Sequence, residues 1–147
     1  HFFIEHNRGH HVRVATPPDP ASSRFGESFW EFLPRTVLGS VASAWEIEEK
    51  RLARLGHGPW HWRNENLQAW SMTVVLYGAM LYWLGWVIVP FLLIQAVYGF
   101  SLLESVNYLE HYGLCRQKAA DGRYERCQPH HSWNSNHVVT NLFLYHL

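Results

Sequence analysis

A stretch of 37 residues without one charged side chain, residues 67–103, constrains this chain more than any other feature. One bilayer crossing takes about 20 helical residues, because each rises about 1.5 Å and the hydrocarbon core is ~30 Å thick. The stretch is too long for one crossing and fits two. Pro90 lies near its middle and predicts the turn. We therefore predict a transmembrane hairpin with helices at about 68–89 and 91–110.

The cations flank this stretch and predict its orientation. All twelve Lys and Arg residues lie outside residues 64–115, and the turn near Pro90 has none. Because positively charged flanks stay in the cytoplasm, both hairpin ends are expected there. Cys115 and Cys127 would then lie in a reducing compartment, where no disulfide is expected. The alternative is a pair of core helices in a soluble protein, which rarely run this long without a charge.

Histidine is unusually frequent in the chain, with 11 residues against 12 Lys and Arg together. The formal charge of zero gives no indication of nucleic-acid binding. Many histidines and only two cysteines favour a metal ligated by imidazole rather than thiolate. The 147 residues suit one domain. They start inside a histidine cluster and stop in an apolar run, so we expect a partial domain of a longer protein.

The first candidate ligands lie in residues 5–11, E-H-N-R-G-H-H. On an α-helix His6 and His10 lie about 40° apart, whereas His11 points about 140° away from His6. One such helix could serve two metal ions or surround one from two sides. Gly9 would let another helix approach closely. The alternative is three solvated histidines on a cytoplasmic surface.

The second candidate, His111, lies where the apolar stretch meets water, in N-Y-L-E-H-Y-G. It follows Pro90 by 21 residues, about 31 Å of helix, which places it at the cytoplasmic edge of the bilayer. Glu104 lies on the same helix face, at a depth where an ionisable group is expected to face the bundle interior. Glu5 and Glu110 each precede a candidate ligand. All three carboxylates are possible partners that orient imidazoles, and a surface charge is the alternative for Glu5 and Glu110.

Residues 28–55 predict a long amphipathic helix outside the hairpin. Ser28 and Glu31 have capping-box spacing, and Gly56 is a plausible stop. Its apolar stripe is expected to pack on the protein or to lie on a membrane surface. The stripe comprises Trp30, Leu33, Val37, Val41 and Trp45.

Two shorter elements follow the hairpin. Asp121-Gly122 predicts the two-residue turn of a short cytoplasmic β-hairpin within residues 116–128. Residues 137–147 predict the start of another helix.

Three stretches together resemble one family, the membrane-bound non-haem di-iron alkane monooxygenases (alkane 1-hydroxylases). They read E-H-N-R-G-H-H-V-R-V-A-T-P at 5–17, N-Y-L-E-H-Y-G-L-C-R at 107–116 and P-H-H-S-W-N-S-N-H at 129–137. The second is the most diagnostic, because related membrane desaturases share histidine-rich segments but not this signature. The resemblance covers the whole chain in order. It implies an all-α integral membrane fold, namely part of a six-helix transmembrane bundle with a cytoplasmic histidine-rich cap, in a bacterial inner membrane.

The resemblance also implies an activity and its ligands. The family inserts one oxygen atom from O₂ into the terminal C–H bond of medium-chain n-alkanes, with electrons from rubredoxin and its reductase. His6, His10, His11 and His111 would be ligands of two iron ions. The family's first and third histidine-rich segments are missing, so this chain alone should be inactive. No role is assigned to the remaining candidates, which are His1, His130, His131, His137 and His146.

Two alternatives stay open. One is a related membrane di-iron enzyme, either a desaturase or an alkyl-aromatic hydroxylase, which products from octane and an acyl thioester would distinguish. The other is a membrane protein that binds metal without catalysis. Finding no histidine-rich segments on either side of this chain would favour the second alternative.

Overall fold

A computed structural model describes residues 1–133 and 137 of the chain. This part is mostly helical and contains no β-strand. The segments α1 (Phe2–Glu5), a π-helical segment (His6–His10) and α2 (His11–Arg13) are continuous, and we call them together the histidine helix. The longer helices are α3 (Phe29–Arg54), α4 (Glu65–Leu84) and α5 (Val89–His111). Short 3-10 turns occupy Trp86–Ile88 and Pro129–His131.

These elements agree with an all-α fold in the described part of the chain. The helix predicted for 137–147 lies outside the described residues, apart from its first position.

The helix on which the others pack is α3, which contacts the histidine helix, α4 and α5. It begins with a capping box, in which the amides of Ser28 and Glu31 each donate to the other residue's side chain. Its last residue is Arg54, and Gly56 follows with a φ of +74°, in the left-handed region. The amide of Gly56 donates to the carbonyl of Ala53 and the amide of His57 to that of Leu52, as in a Schellman motif. Both predicted end signals are confirmed.

The buried face of α3 differs from the predicted apolar stripe. Trp30 is 78% exposed, and the other four stripe residues are only half-buried. Thr36 on the buried face donates to Glu104 of α5, and the carbonyl of Ala44 accepts from Asn66 of α4. The stripe therefore packs on the protein only in part, and contact of its exposed side with a membrane surface remains a prediction; the fully buried face includes these polar contacts. The buried residues recur every four positions: Phe32, Thr36, Ser40, Ala44, Glu48 and Leu52.

The apolar stretch breaks at Gly85 and not at Pro90. Gly85 ends α4 with a φ of +72°, which residues with a side chain rarely adopt. Pro90 lies in the first turn of α5, where its missing N–H costs no hydrogen bond. The predicted turn was therefore placed too late, because proline suits the start of a helix as well as the end of one.

One helical run in the described residues is long and apolar enough to cross a membrane, Trp86–His111. The preceding helix, α4, is continuous, but its sequence contains polar side chains such as Asn66, Gln68 and Thr73. Apolar residues of both helices, among them Val75 and Ile94, are exposed. Exposure of this much apolar surface favours lipid over water. The second crossing of the predicted hairpin remains a prediction.

Residues 116–128 reverse direction with less β structure than predicted. Their only pairing in the described chain is one isolated antiparallel bridge between Lys118 and Tyr124. The amide of Gly122 donates to the carbonyl of Ala119, and Gly122 has a φ of +80°. This is a three-residue loop with glycine in the left-handed position, not the predicted two-residue turn. The predicted β-hairpin is therefore reduced to a turn with one bridge.

Candidate metal centre

The histidine helix brings its three imidazoles together because its middle is π-helical. A π-helix closes hydrogen bonds over five residues rather than four, so residues four and five positions apart lie on nearly the same face. The Nε2 atoms of His6 and His11 are 3.0 Å apart. The ring centroids of His6 and His10 are 5.6 Å apart. The prediction that His11 points away from His6 is therefore wrong, because it assumed an α-helix.

Gly9 makes room within this helix for the carboxylate of Glu5. A Cβ at Gly9 would lie 2.3 Å from Oε2 of Glu5. The space at Gly9 is thus filled by the same helix, and not by another helix as predicted. Glu5 is buried and accepts from Nη2 of Arg13 at 2.9 Å, and its Oε2 has no hydrogen-bond partner among the described residues. Burial raises the pKa of Glu5.

His111, the last residue of α5, reaches the same cluster. Its ring centroid lies 4.8 Å from that of His10. The side chain is fully buried, and neither ring nitrogen has a hydrogen-bond partner in the described part of the chain. A buried polar group without a partner costs about 1–3 kcal/mol. A metal ion would satisfy such a nitrogen, so the residues present fit a metal centre.

Asp19 orients His10, a contact that is not among the predictions from sequence. Nδ1 of His10 lies 2.8 Å from Oδ2 of Asp19, and both side chains are buried. The hydroxyl of Ser22 and the amide of Ala21 also donate to this carboxylate. A proton held on Nδ1 leaves the lone pair on Nε2 free, which is the usual arrangement of a metal-binding histidine.

The proline-rich loop after the histidine helix delivers Asp19 to this position. Ala15 begins the loop with a φ of +54°, and its amide donates to the hydroxyl of Ser22. Burial alone would raise the pKa of Asp19, but the hydrogen bonds from His10, Ser22 and Ala21 hold it below its usual 3.8. The available signal was a lone acidic residue among prolines, in T-P-P-D-P, shortly after the histidine cluster.

The exposed side of the cluster holds neutral imidazoles. Burial, together with the neighbouring His11 and His10, lowers the pKa of His6 from 6.5 to about 4. Burial and His10 also lower the pKa of His11. Both rings are therefore neutral at pH 7, which is the state that a metal ligand needs.

Of the other two predicted carboxylates, that of Glu104 joins two helices, and Glu110 contacts Trp133 through its backbone. Oε2 of Glu104 accepts from Oγ1 of Thr36 at 3.0 Å and from Nδ2 of Asn107 at 3.2 Å. This buried group links α3 to α5. Glu110 is half-buried, and its carbonyl accepts from the amide of Trp133 at 2.7 Å.

A separate group of possible ligands comprises Glu125, His130 and His131, whose ligand atoms lie within 4.8 Å of one another. Nδ1 of His131 accepts from the amide of Gln128 at 2.9 Å. Its Nε2 therefore carries the proton and donates to Glu125 at 3.2 Å. Both nitrogens of the buried His131 are thus engaged without a metal, and its role in this conformation is structural.

The model of the fatty acid desaturase family matches residues 1–147. The chain belongs to the fatty acid desaturase family. Over 147 residues it is 57% identical to an alkane 1-monooxygenase of Acinetobacter baylyi and 55% identical to one of Pseudomonas putida. These matches cover 100% of this chain, and 36% and 37% of the two relatives.

A more distant relative is named for other substrates. The chain is 30% identical over 134 residues to the hydroxylase component XylM of a xylene/toluene monooxygenase of Pseudomonas putida, which covers 89% of this chain and 34% of XylM. The chain therefore spans just over a third of the length of these curated relatives. Family membership and the apolar run at Trp86–His111 together point to a membrane protein.

Proposed function

We propose that the protein containing this chain hydroxylates the terminal carbon of medium-chain n-alkanes at two iron ions. One observation carries the proposal: a cluster of four imidazoles, including a buried one without a hydrogen-bond partner among the described residues, lies in a chain 55–57% identical along its whole length to alkane 1-monooxygenases. His6, His10, His11 and His111 are the proposed ligands in this chain. The remaining ligands would come from other parts of the protein.

The chain's own residues hold the imidazoles for this chemistry. Asp19 fixes the tautomer of His10, and the π-helical segment places His6 beside His11. When bound by these residues, iron would supply the site at which O₂ is activated for cleavage of the C–H bond. One oxygen atom enters the alcohol and the other leaves as water, with two electrons and two protons consumed. An n-alkane partitions into the bilayer, so the apolar face of residues 91–103 of α5 is a candidate wall of its path.

The electron donor and the orientation belong to the same proposal. Rubredoxin, reduced by its reductase, would supply the electrons. The metal centre would lie on the cytoplasmic side of a bacterial inner membrane. The support for this side is the distribution of cations, because all twelve flank residues 64–115.

Hydroxylation of an alkyl-aromatic compound is the second candidate function. The similarity to XylM favours it, since that match also covers most of this chain. Its lower identity, 30% against 55–57%, places it second.

The test is a product analysis on the full-length protein, expressed with rubredoxin and its reductase in a host without alkane hydroxylase. Cells receive octane, p-xylene or an acyl thioester under ¹⁸O₂. We expect 1-octanol with one ¹⁸O atom, and no product from iron-depleted cells. Preferential formation of methylbenzyl alcohol would favour the second candidate. An unsaturated acyl product without ¹⁸O would contradict both.

A further inference from the structure

We infer that Glu48 on α3 and Arg8 on the histidine helix are positioning residues of the metal centre. Their ion pair fixes the rotation of the histidine helix against α3 and α4. The inference rests on the proposed function, since it concerns how the proposed ligands are held. Neither residue is proposed to touch iron or substrate.

The carboxylate of Glu48 is fully buried and joins three elements. Its Oε1 accepts from Nη1 of Arg8 at 3.1 Å and from Nε of Arg51 at 2.7 Å. Its Oε2 accepts from Nη2 of Arg51 at 2.7 Å and from the amide of Glu65 at 2.9 Å. Four donors thus surround one carboxylate, and they come from the histidine helix, α3 and the first turn of α4.

Arg8 is placed to transmit this arrangement to the imidazoles. It lies in the π-helical segment, two residues after His6 and two before His10. Its Nη1 bonds to Glu48 and its Nη2 to Glu65 at 3.1 Å. A guanidinium that bridges two carboxylates has a fixed orientation, because its donors form a rigid fork. Rotation of the histidine helix would break this bridge, so the bridge holds both neighbouring rings in place.

The burial of Glu48 separates this pair from ordinary surface pairs. Glu46 and Lys50, on the same helix, form an exposed pair that joins no second element. Such exposed pairs contribute little, whereas the carboxylate of Glu48 is fully buried and depends on its donors, one of which is Arg8, itself 39% exposed. Apolar packing alone would let the histidine helix rotate against α3. The buried charge of Glu48 prevents this rotation and so sets the geometry of the metal centre.

The experiment measures iron retention in the purified full-length protein. The variants are Arg8→Ala, Arg8→Lys, Glu48→Gln and the double variant Arg8→Ala/Glu48→Gln, with Glu46→Gln as the matched control. The readouts are iron per protein, the rate of iron loss to a chelator and the Mössbauer spectrum. We expect iron loss to be about 10–100-fold faster in Arg8→Ala and Glu48→Gln, the range found for groups that orient metal ligands. Arg8→Lys should lie between Arg8→Ala and wild type.

The double variant distinguishes a shared role from two separate ones. If the pair acts as one unit, the double variant loses iron no faster than the worse single variant. The control should match wild type in all three readouts. Mössbauer parameters should change in Arg8→Ala even in the fraction that still holds iron, since a purely structural loss would lower the amount and leave the spectrum unchanged.

Several outcomes would overturn the inference. The inference is wrong if Arg8→Ala retains iron as the wild type does and has the same Mössbauer spectrum. It is also wrong if the effects of the two substitutions add in the double variant. If Glu48→Gln does not accumulate, the two Arg8 variants still decide, because they leave Glu48 bonded to Arg51 and to the amide of Glu65. A wild type that holds iron but makes no alcohol contradicts the proposed function alone. A wild type that holds no iron contradicts both.

Discussion

At the scale of single residues, His111 is the most informative side chain, because it is buried without a hydrogen-bond partner in the described residues. If it ligates iron, His111→Ala should abolish hydroxylation and lower bound iron while membrane insertion stays intact. Iron per protein, octane turnover and membrane fractionation measure the three effects. Normal turnover in this variant would remove His111 from the site.

Asp19 allows a sharper test, since its carboxylate contacts a proposed ligand directly. Asp19→Asn keeps the shape but removes the charge that favours a proton on Nδ1 of His10. We expect iron affinity or turnover to fall by about 10–100-fold. The matched control is Asp121→Asn, because Asp121 lies exposed in the loop after α5. Equal behaviour of the two variants would show that Asp19 does not orient the ligand.

On a regular α-helix His10 and His11 would point in different directions, so neither could replace the other. The structure changes the reason, since the π-helical segment places His6, His10 and His11 around one site. We still expect His10→Ala and His11→Ala each to be inactive, because each contributes a separate nitrogen. Near-normal iron and activity in either variant would contradict a shared site.

The sequence was sufficient to single out the four histidines, but not their geometry. Residue spacing predicts directions only for a regular helix, and the π-helical turn at His6–His10 departs from one. The contact between Asp19 and His10 could not be predicted, because it depends on a loop that folds back at Ala15, whose backbone is in the left-handed region. No periodic pattern describes such a loop.

At the scale of helices, Glu104 is the link between α3 and α5. Its two hydrogen-bond donors in the described chain, Thr36 and Asn107, are neutral, which favours a structural role. Glu104→Gln keeps an acceptor and should assemble with nearly normal iron. Glu104→Leu leaves both donors without a partner, at a cost of about 1–3 kcal/mol each, and should reduce the yield of folded protein.

The same pair of variants separates the two roles considered for Glu104. Yield after detergent extraction and iron per protein report assembly, while octane turnover reports the effect of charge. Slow turnover of Glu104→Gln despite normal assembly and iron would show that the negative charge acts on the metal centre.

Helix ends were more predictable than helix faces. The start and stop of α3 follow from local chemistry at Ser28, Glu31 and Gly56, and the structure has both. The buried face of α3 depends on partners far along the chain, such as Glu104 and Asn66, which no local pattern contains. The position of the hairpin turn was ambiguous in the sequence, because both Gly85 and Pro90 are residues that can interrupt a helix.

At the scale of the whole molecule, the described chain has polar side chains inside and apolar side chains outside. Sixteen buried residues are polar or charged, against eight apolar ones. Large apolar residues along α4 and α5 are meanwhile exposed. A soluble domain shows the opposite distribution, whereas a polar metal centre next to a membrane-spanning segment accounts for both observations.

Membrane topology gives the last prediction. The run Trp86–His111 has 26 residues, about 39 Å at about 1.5 Å each, which exceeds the ~30 Å hydrocarbon core. If α4 crosses as well, the turn that contains Trp86 lies on the external face of the membrane, and the loops with Gly58 and Ala120 lie in the cytoplasm. The cations predict this direction, since none lies between residues 64 and 115.

Cysteine labelling of spheroplasts with an impermeant maleimide tests this arrangement. Cys115 and Cys127 are exposed and must first be replaced by serine. Single cysteines are then placed at Gly58, Trp86 and Ala120, all of which are exposed. We expect Trp86→Cys to react in intact spheroplasts, and Gly58→Cys and Ala120→Cys to react only after lysis. The reverse pattern would overturn the orientation. Protection of all three sites until lysis would show that α4 and α5 do not cross as a pair, because their shared turn would then stay on the cytoplasmic side.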